Sequence, residues 1–247
     1  MSASENHPAV PAAGGEDEHI SPMFANANNP PGSVYFTVLS GGPDMSVAGW
    51  LHLSYEALES KEALDVWGEF REELYTDPAL NIRRGDMLRA RKLAAGQGRP
   101  RFPSARRGPS KAEQLGYRRV LRRGLEVVAR LPGTTVGTAL GRGMSPAATT
   151  EAVLGGLSSR HARDRSSTLA LIRTPAVTAW YELTPGPTVP SPAQGGPYAT
   201  AEVGGLLEAA EFVAYCAYQH YARSHHRRFL WEWLPELLPD AARPLAL

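Results

Sequence analysis

The clearest hydrophobic periodicity in the chain lies between Gly204 and Tyr221 and is that of a helix. Apolar residues recur there at intervals of three and four positions, so they fall on one continuous stripe of a helix. Most of these residues are small, and the pattern therefore predicts a helix that lies close against a sheet. The stripe consists of Leu206, Ala210, Val213, Ala214, Ala217 and Tyr221.

Two strands and two helices are predicted in the first part of the chain. Residues 34–39 are β-branched and aromatic and end at turn residues, and residues 45–53 have the same character, which together predict a hairpin. Ser54 is predicted to cap the helix that follows. Residues 86–95 are predicted to form a short basic helix. The apolar stripe of the first helix consists of Ala63, Trp67, Phe70 and Leu74.

Further elements are predicted up to the closing helix. Residues 111–131 have the pattern of an amphipathic helix with arginines on its polar side. Ser145 and Pro146 are typical of a helix start and open a helix that runs to about His161. The other predicted segments are a mobile loop at 96–110, a buried strand at 134–140, strands at 168–173 and 177–183, and a Pro-rich surface connection at 185–197.

These elements predict an α/β fold in which a mixed β-sheet is flanked by helices. We expect one domain over residues 33–247, preceded by a disordered tail at residues 1–32. Cys216 is the only cysteine and lies in the apolar helix, where a small buried side chain is expected. Because the chain has neither an apolar run of bilayer length nor a signal-peptide pattern, we expect a cytoplasmic protein without membrane contact.

The net charge of +1 hides a strong asymmetry along the chain. Residues 1–82 carry 13 acids and 2 bases, whereas residues 83–130 carry 15 bases and 3 acids. Such a basic block can follow a polyphosphate backbone. It can also pair with the protein's own acidic third, or simply solvate a helix face, and the sequence leaves these alternatives open.

The closing part of the chain resembles a known family. Residues 206–215 and 228–235 look like the C-terminal end of an uncharacterised bacterial family of unknown function with a ribonuclease H-like fold. Members of that family open with a strand that reads Tyr-x-Asp-Glu-Ser-Gly and close with a helix that reads Gln-x-x-Asp-Leu-x-Ala-Tyr. The resemblance implies a ribonuclease H-like fold for this chain. Its closing helix reads Glu208-x-x-Glu211-Phe212-x-Ala214-Tyr215.

The resemblance also implies a chemistry, from which this chain departs. Ribonuclease H-like nucleases hydrolyse phosphodiesters with two divalent cations that are held by converging carboxylates. When the Ser-Gly that ends the first strand is aligned with that of the family, Val38 and Leu39 stand in place of Asp and Glu. Neither side chain can bind a metal, so we expect no metal site of the usual kind. The remaining candidates for a rearranged catalytic site are Glu208, Glu211 and Asp44.

Glu208 and Glu211 are three positions apart and share a helix face beside the apolar stripe. Two carboxylates in that place are unfavourable if they are buried without a partner. A role in a site and a solvent-facing position at the rim of the sheet therefore both remain open.

Three hypotheses about function follow. In the first, the protein lacks nuclease activity and binds nucleic acid or a protein partner through the basic block 83–130, with no cofactor. In the second, copies form a homo-oligomer as a structural protein, by pairing their acidic and basic thirds. In the third, a magnesium-dependent nuclease or phosphodiesterase uses the rearranged carboxylates. The phosphate contacts of the first hypothesis would be Arg118, Arg119, Arg122 and Arg123.

Two weaker patterns lie near the end of the chain. His220, His225 and His226 follow the closing helix pattern, and we expect a helix-end charge role, or none, rather than metal ligation. Trp231 and Trp233 are expected to pack at the edge of the core, with base stacking as the alternative.

Overall fold

The computed structural model of the chain describes residues 32–42, 44–80, 82–97, 110–161, 168–183 and 203–247. The predicted tail, apart from Gly32, lies outside the described residues. So do most of the predicted loop at 96–110 and the Pro-rich connection at 185–197.

The leading hairpin forms the centre of a six-stranded sheet. β1 and β2 pair antiparallel as predicted, β3 extends the sheet beyond β2, and β4 lies parallel to β1 on the other side. β4 and β5 form a second antiparallel pair, so the sheet is mixed, with the order β5-β4-β1-β2-β3-β6. The strands are β1 (Ser33–Gly41), β2 (Met45–Ser54), β3 (Thr134–Arg142), β4 (Thr168–Arg173), β5 (Thr178–Leu183) and β6 (Leu245–Ala246).

Helices flank this sheet, which confirms the predicted α/β class. Most of them pack on one face, around the closing helix α6, whereas α5 covers the other face with a smaller apolar cluster. A short 3₁₀ helix, His225–Leu230, follows α6. Among the described residues, no helix has both the length and the apolar character that a bilayer span requires. The helices are α1 (Tyr55–Glu59), α2 (Glu62–Thr76), α3 (Ala90–Ala94), α4 (Lys111–Val128), α5 (Pro146–Arg160), α6 (Gly204–Ala222) and α7 (Trp233–Leu237).

The close approach of α6 to the sheet is confirmed at Gly49. A Cβ atom at this position of β2 would lie 2.4 Å from the backbone nitrogen of Ala214, so only a glycine fits there. The small stripe of α6 therefore packs directly on the central strands. Cys216 is fully buried in the same helix, as expected, and burial raises the pKa of its thiol.

Three local predictions need correction, and one strand was not predicted. Ser54 does cap a helix, but Lys61 adopts a left-handed conformation (φ 60°) and divides the predicted helix into α1 and α2. The predicted basic helix at 86–95 is shortened to α3, because residues 86–89 precede it as non-helical chain. β3 is only half-buried, because β6, which the sequence did not predict, covers just two of its residues.

Candidate functional site

A cleft of about 1100 Å³ opens beside the C-terminal end of β1. Its floor is formed by the end of β1 and by α6, and its walls by α3, by the turn between β4 and β5, and by the 3₁₀ helix. Val38, Leu39 and Glu211 all line it. The cleft therefore lies where the family resemblance would place the carboxylates of a metal site.

The charged side chains of this cleft are mostly cationic. Among the described residues that line it, five carry a positive charge and one carries a carboxylate, Glu211. Positive charge concentrated in a cleft attracts anions and raises their local concentration. The cations are Arg89, Arg91, Lys92, Arg173 and Arg227, and exposed His226 lies beside them.

Glu211 is engaged by α3 and the residue before it. Its two carboxylate oxygens accept hydrogen bonds from Arg89 Nη1 at 2.9 Å and from the backbone N–H of Ala90 at 3.2 Å. The side chain is 13% exposed, whereas that of Arg89 is 46% exposed. Glu211 thus neutralises one cation and fixes the start of α3 at the wall of the cleft.

Glu208 lies one turn earlier on α6 and is buried, at 5% exposure. Its carboxylate accepts hydrogen bonds from Arg71 Nη1 at 2.9 Å and from the backbone N–H of Leu88 at 2.8 Å. Burial raises the pKa of Glu208 to about 7, because desolvation outweighs the attraction of Arg71. The solvent-facing alternative is therefore wrong for Glu208.

Arg71 extends the same network to the chain before α3. Its Nη2 donates to the carbonyl oxygen of Asp86 at 2.5 Å and to the hydroxyl of Tyr75. Tyr75 in turn donates to the carbonyl oxygen of Arg84 at 2.8 Å. Side chains of α2 and α6 thus form hydrogen bonds with backbone groups of residues 84–90. This explains why the segment is not helical before Ala90.

The three carboxylates proposed as catalytic candidates do not form a metal site. Asp44 is exposed in the β1–β2 turn, while Glu208 and Glu211 face arginines and backbone N–H groups. No group of three or more His, Cys, Asp or Glu side chains with metal-binding geometry occurs in the described ranges. Val38 and Leu39 offer no oxygen ligand, so the residues around this cleft do not fit a pair of divalent cations.

The four arginines proposed to contact phosphates lie on α4, away from the lining of the cleft. Arg122 pairs with Glu126 and Glu236, and Arg123 pairs with Glu73. Arg118 packs over the ring of Phe229 at 4.5 Å, whereas Arg119 is exposed.

Part of the basic block therefore does pair with the acidic third of the same chain. Besides the pair of Arg123 with Glu73, Arg84 pairs with Glu72. Both are exposed ion pairs, which contribute little to stability but reduce the charge that a ligand would meet.

Arg173, at the end of β4, was not identified from the sequence. Its Nη1 contacts Met87 Sδ at 3.1 Å, and its Nε and Nη2 are buried without an acceptor in the described part of the chain. Burial lowers the pKa of this guanidinium. The one indication in the sequence was that this single cation ends an otherwise apolar strand.

The weaker patterns at the end of the chain are also resolved. The carbonyl oxygen of Trp231 accepts a hydrogen bond from His220 Nδ1 at 2.5 Å, and His225 is exposed. Trp233 packs against the main core, which confirms its predicted place at the core edge.

Comparisons with protein-family models, with curated proteins and with solved structures give no match for this chain.

Proposed function

We propose that this protein is a nucleic-acid-binding module with a ribonuclease H-like fold, and that it binds phosphates in the cleft at the end of β1 without hydrolysing them. The observation that carries the proposal is the charge of the cleft, in which five cations meet a single carboxylate among the described lining residues. That carboxylate, Glu211, already accepts hydrogen bonds from Arg89 and Ala90.

The arrangement of β1 and α6 supports the fold assignment. The opening strand and the closing helix, which carry the two motifs in the family that this chain resembles, pack against each other here. Their motif positions, Val38 and Glu211, line the same cleft. A site that holds carboxylates in the family thus has more arginines than carboxylates among its described lining residues in this chain.

The size and charge of the cleft favour a polyanion over a small ion. A volume of about 1100 Å³ is at the upper end of ordinary ligand pockets, and the cations are distributed over three of its walls. Nucleic acid presents phosphates at regular intervals and releases counterions when cations replace them. The cytoplasm, where such polyanions are abundant, is the location we propose.

The cleft, rather than α4, is the main interface in this proposal. Arg91 and Lys92 are exposed at its wall and belong to the basic block 83–130. On α4, Arg122 and Arg123 already have carboxylate partners. The α4 arginines would then add long-range attraction and little direct contact.

The proposal is tested by titrating the full-length protein into a labelled single-stranded oligonucleotide from about 50 to about 300 mM salt. If all five cations are engaged, log K should fall against log salt with a slope of about −3.5. No binding at the lowest salt concentration would refute the proposal.

A matched pair of charge reversals locates the interface. The first double variant, Arg91→Glu with Lys92→Glu, reverses two charges in the cleft. The second, Arg119→Glu with Arg130→Glu, reverses two exposed charges at α4, so the change in net charge is the same. The first pair should weaken binding about a hundredfold and the second about threefold or less, since only the first removes direct contacts. The reverse order would move the interface to α4.

A further inference from the structure

A second cavity, of about 570 Å³, adjoins the cleft along α6. It lies between the N-terminal turn of α6 and residues 84–89, and three residues line both cavities. We call the boundary formed by these three residues the partition between the two spaces. The shared residues are Arg89, Arg173 and Thr178.

The second cavity is also more basic than acidic. Four arginines and two acids line it among the described residues. Arg71 is neutralised by Glu208, but Arg84 is largely exposed, with 75% of its side chain accessible. Arg84 pairs with Glu72 in an exposed ion pair, so the basic surface continues from the cleft through the partition to Arg84 with reduced charge at that end.

Arg173 lies in that partition with one edge of its guanidinium unused. Nη1 contacts Met87, whereas Nε and Nη2, which point the same way on the planar group, have no acceptor among the described residues. This edge is the one that binds two oxygens of a phosphate at once. Buried donors without acceptors are unfavourable, so an arriving anion would relieve that cost.

Met87 is a movable side chain that holds Arg173 on its Nη1 side. It is 46% exposed, although it is a large apolar side chain, and its thioether contacts Arg173 Nη1. An unbranched side chain with three rotatable bonds changes its position readily. Displacement of Met87 would free Nη1 and let the guanidinium turn, so that its Nε–Nη2 edge faces the space where the two cavities meet.

We infer that the two cavities form one track for a single, unpaired strand of nucleic acid, in which Arg173 binds a phosphodiester at the midpoint. The track is the surface from Arg91 and Lys92 past Arg173 to Arg84. A flexible single strand can bend so that one phosphate reaches the half-buried Arg173. The phosphates of a rigid duplex would contact only the outer edge of the track. The inference rests on the proposed function and specifies its ligand.

The test compares oligodeoxythymidine and oligouridine of about 2 to about 12 nucleotides with a duplex of the longest length. For the full-length protein, affinity should rise until the strand spans both cavities, at about 4 to 8 nucleotides, and then level off. The duplex should bind at least about tenfold more weakly than the single strand. Tight binding of either sugar series supports the inference, because both present the same phosphodiester to Arg173.

Two variants probe the midpoint of the track. Arg173→Lys keeps the charge but removes the bidentate edge, and Thr178→Asp places a carboxylate at the exposed partition. Each should lower affinity for the longer strands about tenfold. The matched control, Arg160→Lys on α5, should leave affinity unchanged, because α5 covers the opposite face of the sheet.

The outcomes separate the two proposals. If no oligonucleotide binds, the proposed function fails and the track fails with it. If single strands bind but the duplex binds equally tightly, or if both partition variants match the original protein, the track is refuted while the proposed function stands. Melting curves of each variant show that a loss of affinity is not a loss of fold.

Discussion

Glu208 on α6 accepts a hydrogen bond from the backbone N–H of Leu88 at 2.8 Å, across 120 positions of sequence. One turn later on the helix, Glu211 does the same for Ala90. Glu211, which stands where the resembling family has an Asp, and Glu208, which stands where it has a Gln, thus both hold the segment that leads into Arg91 and Lys92. In this chain they position the cations of the cleft.

Replacing Glu208 with alanine should lower both stability and affinity. The change leaves Arg71 and the N–H of Leu88 buried without their acceptor, which costs about 2 to 4 kcal/mol of unfolding free energy. Nucleic-acid affinity should fall as well, because residues 87–90 are released. Urea unfolding and oligonucleotide titration measure the two effects, with Glu232→Ala, at an exposed residue, as the control. An unchanged urea midpoint would contradict this role of Glu208.

The raised pKa of Glu208 gives stability a defined pH dependence. Its value in the folded protein is about 7 against an ordinary 4.5, so the folded state binds the proton more tightly than the unfolded chain does. The contribution of this group is therefore fully present below pH 4.5 and is lost as the pH rises through 7. Over that window wild-type stability should fall by up to about 3 kcal/mol relative to Glu208→Gln.

The measurement is a series of urea unfolding curves for both proteins from about pH 4.5 to about pH 8. Because the Gln variant does not titrate at this position, it removes the contribution of all other groups from the comparison. A wild-type protein that gains stability over the variant with rising pH would show that attraction to Arg71 outweighs burial.

Glu211→Gln separates a binding cleft from a metal site. In the proposed cleft, the change removes the single carboxylate among the described lining residues and frees Arg89, so oligonucleotide affinity should rise about threefold at low salt. Stability should change by less than about 1 kcal/mol, since the pair is partly exposed and an amide oxygen still accepts from Ala90.

The nuclease alternative makes the opposite prediction for the same variant. Calorimetric titration with magnesium or manganese should then give heat with the wild-type protein and none with Glu211→Gln. In the binding module proposed here, neither protein gives such a signal. Metal binding that depends on Glu211 would refute the loss of the metal site.

The contact between Gly49 and Ala214 predicts a large packing effect. Gly49→Ala would place a methyl group 2.4 Å from the backbone of α6, which forces the helix away from the sheet and should cost about 3 kcal/mol. Gly68→Ala is the matched control, because a Cβ there meets nothing within 4 Å on the exposed side of α2. It should stabilise the protein by about 0.5 to 1 kcal/mol. Thermal unfolding of both variants checks the pair.

Local patterns in the sequence identified most elements of the fold. The apolar repeat of α6, the β-branched run of β1 and the start of α5 at Ser145 depend on near neighbours, and all three lie where they were predicted. The break at Lys61 and the strand β6 were missed. The first depends on the left-handed conformation of a single residue. The second is a two-residue strand that is defined only by its pairing with β3.

The sequence by itself determined that the first strand carries no acid, since Val38 and Leu39 are read directly from the chain. It also located the basic block that supplies three of the five cations of the cleft. Only the tertiary structure decided that Glu208 and Glu211 bind residues 88–90, and that Arg173 meets Arg89 at the partition. The physical reason is that hydrophobic periodicity specifies each element from residues nearby in sequence, whereas these contacts join segments about a hundred positions apart, whose meeting depends on how the whole sheet and its helices pack.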